Sequence, residues 1–158
     1  MIKEAKEKME ALAAEEQALG FDRFSRADAL EVGLLVLKKA KRHPDPIAIE
    51  ITINGLVVFR HFTEGSLMDS ELWLARKRNS VDLMSMSSLR FKYWLESQEI
   101  TVADRMLDPN AYAAGGGGFP IRLTGTGVVG SICVSGLPNH LDDHQLVVDA
   151  LTEFKQKA

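Results

Sequence analysis

The stretch from Ile47 to Phe62 admits one regular form, an antiparallel β-hairpin. Ile47, Ile49, Ile51 and Ile53 alternate with Ala48, Glu50 and Thr52, the period of a strand. Asn54-Gly55 follows, the dipeptide most suited to a two-residue type I′ turn because both positions take positive φ. Leu56 to Phe62 then returns. A two-residue loop pairs Ile53 with Leu56, Ile51 with Val58, Ile49 with Arg60 and Ile47 with Phe62. In that register one face is apolar except for Arg60, and the other carries Val57, Phe59 and His61. The second face is half apolar, so another layer or another subunit is expected to cover part of it.

A second hairpin follows later in the chain. Phe119 to Leu123 and Val128 to Ser135 read as strands around Gly125-Thr126-Gly127, and Gly136-Leu137-Pro138 ends the second of them. Val128, Ile132 and Val134 share one face of that strand, and Val129 and Cys133 the other. Short turns join only antiparallel neighbours, which favours an antiparallel sheet over a doubly wound parallel one.

Helices fill the remainder. Residues 3–19 are rich in Ala, Glu, Lys and Leu, with a thin stripe of Ile2, Met9, Leu12, Ala13 and Leu19 before Gly20. Ser25 with Asp28 forms a capping box for a second helix, which ends in Lys38, Lys39, Lys41 and Arg42 before Pro44 and Pro46. A third helix spans Asp69 to Met84, with Leu72, Trp73, Leu83 and Met84 on its apolar side. At about 100° per residue, Arg76 and Ser80 fall in that arc, Lys77 at its edge and Arg78 away from it. Ser88 to Ser97 and Asp142 to Lys155 complete the set. The fold class is α+β: an antiparallel sheet of four to five strands flanked by helices, with N-terminal helices. Residues 1–20 are expected to form an N-terminal helix and residues 21–158 a single domain.

Charge and cysteine content exclude several functions. The net charge of −3 argues against a phosphate-backbone binder, and the basic run ending the second helix suits the negative end of its dipole. The single cysteine, Cys133, permits no intrachain disulfide and no cysteine-based zinc site. The apolar runs are far shorter than the roughly 18 residues of a membrane span. A cytoplasmic protein is expected, without nucleic-acid or membrane partners.

Candidate chemistry is concentrated in the second half. Gly115 to Gly118 lets a ligand approach the backbone, but it leads into a strand and lacks the lysine of a phosphate loop. Either a backbone lip over a pocket or a tight loop accounts for it. His144 lies on the buried side of the last helix, as a pocket residue or as a hydrogen-bonded core residue. His140, just after Pro138, reads as a loop residue. Arg60, Arg76 and Lys77 on apolar faces need carboxylate partners, a subunit contact or an anionic ligand, unless they snorkel outward. Ser87-Ser88 reads as an N-cap. The ligand-binding set is Arg76, Lys77, Ser88, Gly116, Gly117, Phe119, Ser135, Gly136 and His144. No metal ligands and no catalytic residues are assigned.

One resemblance covers roughly Phe24 to Phe154. Tyr112-Ala113-Ala114, Gly116-Gly117, Phe119-Pro120-Ile121, Gly127-Val128-Val129-Gly130-Ser131, Ser135-Gly136-Leu137-Pro138 and Asp143-His144 occur in the order and spacing of the haem-degrading, haem-binding-protein-like family. Trp73, Lys77-Arg78-Asn79 and Ser87-Ser88 extend it upstream. The chain is most similar to the family's cytoplasmic branch, beside the extracellular haem-binding sensor and the glycolate-operon protein G. The resemblance implies an antiparallel α+β domain and large homo-oligomers, with haem activity in some members. Histidines often found in that branch before the paired serines and before the glycines are replaced here by Met86 and Gly115. The expectation is a homo-oligomeric protein that binds a small ligand or a partner. The alternatives are a haem-binding or haem-degrading enzyme, and a non-enzymatic scaffold or chaperone-associated interaction protein.

Overall fold

The structure is a computed structural model and describes residues 1–157. Four strands form one antiparallel sheet: β1 (Ala48–Ile53), β2 (Leu56–Phe62), β3 (Gly118–Leu123) and β4 (Gly127–Ser135), in the order β2-β1-β4-β3. The two hairpins therefore lie side by side, with β1 and β4 central. On one face, α2 (Arg26–Ala40) and α5 (His140–Lys157) bury Val32, Val36, Val147 and Leu151 against Ile49, Ile51, Ile132 and Val134. On the other face, α3 (Asp69–Met84) places Leu74 against Ala48 and Cys133. Beside α3 lies α4 (Ser88–Gln98), and α1 (Ile2–Ala18) rests on α4 near the β3 edge. No helix among the described residues is long and apolar enough to cross a membrane.

Local signals set the helix ends. Ser25 Oγ accepts from Asp28 N–H at 3.1 Å, and Asp28 Oδ2 accepts from Ser25 N–H at 2.8 Å, closing the box on α2. Ser87 caps α4, accepting from Arg90 N–H at 3.1 Å.

The first hairpin departs from the expected register. Ile53 faces Leu56 and Thr52 faces Val57, but a bulge then places Phe59 opposite Ile51 and Arg60 opposite Glu50. The extra residue turns Phe59 toward α2 and Arg60 toward α3. Arg60 thus leaves the apolar face and meets Glu50 Oε2 through Nε at 2.9 Å, while its Nη1 reaches Glu71 at 2.7 Å. Glu50 is fully buried and also accepts from Arg78 Nη1 at 2.5 Å. A buried carboxylate without these cations would be far costlier than a bulge.

The α3 face is also shifted. Its buried residues are Ser70, Leu74, Lys77, Ser80 and Val81, whereas Leu72, Trp73 and Leu83 are exposed. Apolar side chains sit on both sides of this helix, so hydropathy alone picked the wrong arc. The sheet instead takes the side with Leu74 and Val81 and accepts polar groups that bond to the loop beneath.

The Phe59 ring lies where a side chain on Gly33 would go, its Cε1 2.5 Å from an ideal Cβ. Alanine raises helix propensity by about 1 kcal/mol over glycine, but overpacking costs about 1–3 kcal/mol. Gly33→Ala is expected to lower stability by about 1 kcal/mol, read as a fall of a few degrees in thermal midpoint.

Candidate functional site

Where β4 ends and α5 begins, the chain leaves a cleft of about 670 Å³. Its floor is Lys77 of α3, Ser135 to Pro138 at the end of β4, and Asp143. One wall is the glycine loop at Gly115 and Gly116 with His140, and the outer rim includes Leu67, Trp73 and Tyr112.

The loop is held from beneath by α3 and α4. Arg76 Nε donates to Asn110 O at 2.9 Å, Asn79 Nδ2 to Ala111 O at 2.9 Å and Ser80 Oγ to Ala113 O at 2.7 Å. Ser88 Oγ accepts from Gly118 N–H at 2.9 Å. Ser80 and the Ala113 it bonds are both buried, so this polar residue on the buried face of α3 pairs a loop carbonyl that water does not reach.

Lys77 crosses from α3 to the floor and is only 5% exposed. Its Nζ donates to Val134 O at 2.8 Å and to Asp143 Oδ2 at 3.3 Å. Asp143 Oδ1 accepts from Leu137 N–H at 3.2 Å. Burial lowers the Lys77 pKa, with Asp143 opposing. Burial likewise pushes the Asp143 carboxyl up to about 6, opposed by Lys77 and the Leu137 amide. Desolvation outweighs attraction in both, which brings the carboxyl within range of proton exchange near neutrality.

The glycine run divides in two. An ideal Cβ on Gly116 would lie 2.1 Å from His140 O, so this close contact of loop and helix admits no side chain. Gly116 N–H donates to His140 Nδ1 at 2.8 Å. An imidazole whose Nδ1 accepts carries its proton on Nε2. Burial and the positive charges of Lys92 and Lys77 lower the His140 pKa and keep the ring neutral. His140 therefore presents Nε2–H as a donor. Gly117 and Gly118 are buried behind the wall and serve close packing.

The expected site residues separate accordingly. Lys77, Gly116, Ser135 and Gly136 line the cleft. Arg76 lies behind the loop, with its guanidinium carbon 4.6 Å from the Trp73 ring centroid. Ser88 and Gly117 support the loop, and Phe119 is in the core, 5.7 Å from the His144 ring. His144 does not line the cleft; its Nε2 lies 2.7 Å from Glu15 Oε1 of α1. His140 and Asp143 take the positions expected of His144. The reason is the start of α5, which begins at His140 rather than Asp142 because Asn139 caps it, accepting from Leu141 N–H at 3.0 Å. Asparagine after Pro138 was the signal available in the sequence.

Residues 24–152 match the sequence model of the family described as haem degrading protein HbpS-like. The UPF0303 protein SCO2848 of Streptomyces coelicolor is 40% identical over 144 residues, covering 90% of each chain. The UPF0303 protein RHE_CH02903 of Rhizobium etli is 41% identical over 140 residues, covering 89% of this chain and 85% of its own. Among solved structures, the Ybr137w protein superposes with a TM-score of 0.85 at 25% identity, over 94% of this chain and 88% of its own. The PduOC:heme complex shares the fold, with a TM-score of 0.64 at 16% identity over 80% and 94% of the two chains.

Proposed function

The chain belongs to the haem-degrading protein HbpS-like family, and from that premise we propose that it is a cytoplasmic, homo-oligomeric binding protein for a small organic ligand bearing a hydrogen-bond acceptor. The hydrogen bond from Gly116 N–H to His140 Nδ1 carries this reading. It fixes His140 as a donor at the mouth of a cleft whose floor is Lys77. A carbonyl or carboxylate oxygen is the group that accepts from two such donors, and Trp73, Tyr112 and Leu67 supply apolar contact for the remainder of the molecule.

A haem iron fits this donor set poorly. Ligation through His140 Nε2 would move the ring proton to Nδ1, against the Gly116 N–H. Met86, between α3 and α4, is not among the residues lining the cleft. The haem in the PduOC complex is therefore not carried over to this cleft.

Assembly is supported by exposed apolar side chains on α2 and on the edge strand β2: Leu30, Leu34, Leu56 and Val57. Phe59, expected on that outward face, is instead turned toward α2 by the bulge. A light-scattering mass near 17.5 kDa at micromolar concentration would contradict assembly.

Native mass spectrometry of protein purified from cells tests the ligand. The wild type is expected to carry an organic adduct, which His140→Phe loses by at least tenfold in occupancy. His140→Gln is expected to retain it, because glutamine can accept from Gly116 and still donate. Loss in His140→Phe and His144→Ala alike, with both variants folded, would refute the assignment to this cleft.

A further inference from the structure

Among the described residues that line the cleft, Lys77 is the one cation, beside the carboxylates of Asp69 and Asp143. Asp143 already faces Lys77 at 3.3 Å. A carboxylate ligand would bring a third anion to this site, and like charges held close together resist ionising. An aldehyde or ketone brings an acceptor oxygen without the charge. Lys77 Nζ makes two hydrogen bonds, to Val134 O at 2.8 Å and to Asp143 Oδ2 at 3.3 Å. Its nitrogen has three positions besides its carbon, so one remains for a ligand. Adjacent loop residues touch both polar groups of the cleft. Gly116 N–H holds the His140 ring, and an ideal Cβ on Gly117 would lie 2.7 Å from Lys77 Nζ. A proton passing from Nζ to Asp143 turns the ion pair into a neutral amine and a neutral acid, the change that burial favours in both groups.

We propose that Lys77 captures an aldehyde or ketone in the cleft as a Schiff base, with Asp143 as the acid and His140 holding the carbonyl oxygen. This rests on the cleft being a site for an acceptor-bearing organic ligand, and it fixes that ligand as a carbonyl compound. The amine lone pair attacks the carbonyl carbon, and the C=O π pair moves to the oxygen, which accepts from His140 Nε2–H. Asp143 takes one proton from the nitrogen and gives its own to the oxygen, leaving a carbinolamine and a carboxylic acid. The acid then protonates the hydroxyl, which departs as water while the nitrogen lone pair closes C=N. A protonated imine now faces the Asp143 carboxylate, so the buried positive charge keeps its partner. Water is the only by-product, and no oxidant or reductant is needed.

Reductive alkylation of the full chain tests the proposal. Propanal and cyanoborohydride are added at neutral pH, and peptide mapping by mass spectrometry reads the rate at each lysine. A buried lysine in a purely structural ion pair should react last. Lys77 is instead expected to react about tenfold faster than the exposed Lys41, the reference in the same tube. Asp143→Asn should slow Lys77 by about tenfold and leave Lys41 unchanged. Removing only a counter-charge would free the amine and speed the reaction, so slowing marks the loss of an acid. Lys77 reacting more slowly than Lys41 in the wild type overturns the proposal, and the wild type decides alone if Asp143→Asn does not fold. A folded Asp143→Asn chain in which Lys77 reacts as fast as before, or faster, also overturns it. The reading of the cleft as a ligand site is judged separately, by the organic adduct and its loss in His140→Phe.

Discussion

Gly117→Val is expected to destabilise the protein by more than about 4 kcal/mol, beyond the range of ordinary substitutions. Gly117 has φ +127°, a conformation that side chains rarely adopt. An ideal Cβ there would lie 2.2 Å from Val134 O and 2.7 Å from Lys77 Nζ. Neither atom can yield. Val134 N–H donates to Gly117 O at 2.9 Å, and Lys77 Nζ donates to Val134 O at 2.8 Å, so the loop, the central strand and the lysine form one closed set of bonds. Gly125 is the control. Its φ is +76° but nothing lies within 4 Å of its ideal Cβ, so Gly125→Ala carries backbone strain of only about 1–3 kcal/mol. Thermal or denaturant unfolding of the two variants checks the contrast. Equal losses would mean that the crowding at Gly117 is relieved by loop movement, and a lip that adapts to its ligand would then be the better description.

Asp143→Leu should cost about 3–5 kcal/mol near neutral pH, because it leaves the Lys77 ammonium buried without its anion. Lys77→Met combined with Asp143→Leu should recover most of that loss, since an apolar pair of similar volume needs no solvation. A double variant no more stable than Asp143→Leu alone would show that Lys77 is required for its bond to Val134 O rather than for the ion pair.

The same pair predicts a pH dependence of unusual direction. The Asp143 carboxyl rises from an ordinary 3.8 to about 6 on folding, so the folded state holds its proton more tightly than the unfolded state. Its contribution is complete below about pH 3.8 and is lost as pH rises through about 6. Over that window the wild type should lose on the order of 2 kcal/mol relative to Asp143→Asn. The comparison is made as a difference because Glu16 shifts in the same direction while Asp149 and Glu153 shift oppositely. A wild type that instead gains on Asp143→Asn as pH rises would show that attraction to Lys77 exceeds desolvation.

Local chemistry settled much of this protein in advance. Alternation in residues 47–53, the Asn54-Gly55 turn, the Ser25–Asp28 capping box, the Ser87 cap and the glycine turns each act within a few residues, so the elements, their order and the antiparallel sheet are written into the chain. The Ser135–Pro138 break and the glycine run likewise marked two walls of the cleft, and the motif order identified the family. Long-range pairing decided the remainder. Arg60 changed face because Glu50, ten residues away in sequence and opposite it in the sheet, needed a cation. Lys77 became the floor rather than the edge because its acceptors, Val134 and Asp143, lie 57 and 66 residues further along. His140 replaced His144 at the cleft because Asn139 advanced the helix start and Gly116 met its ring, while Glu15 of α1 took His144. A buried charge or ring nitrogen is placed by the partner that satisfies it, and that partner is known only once the chain has folded.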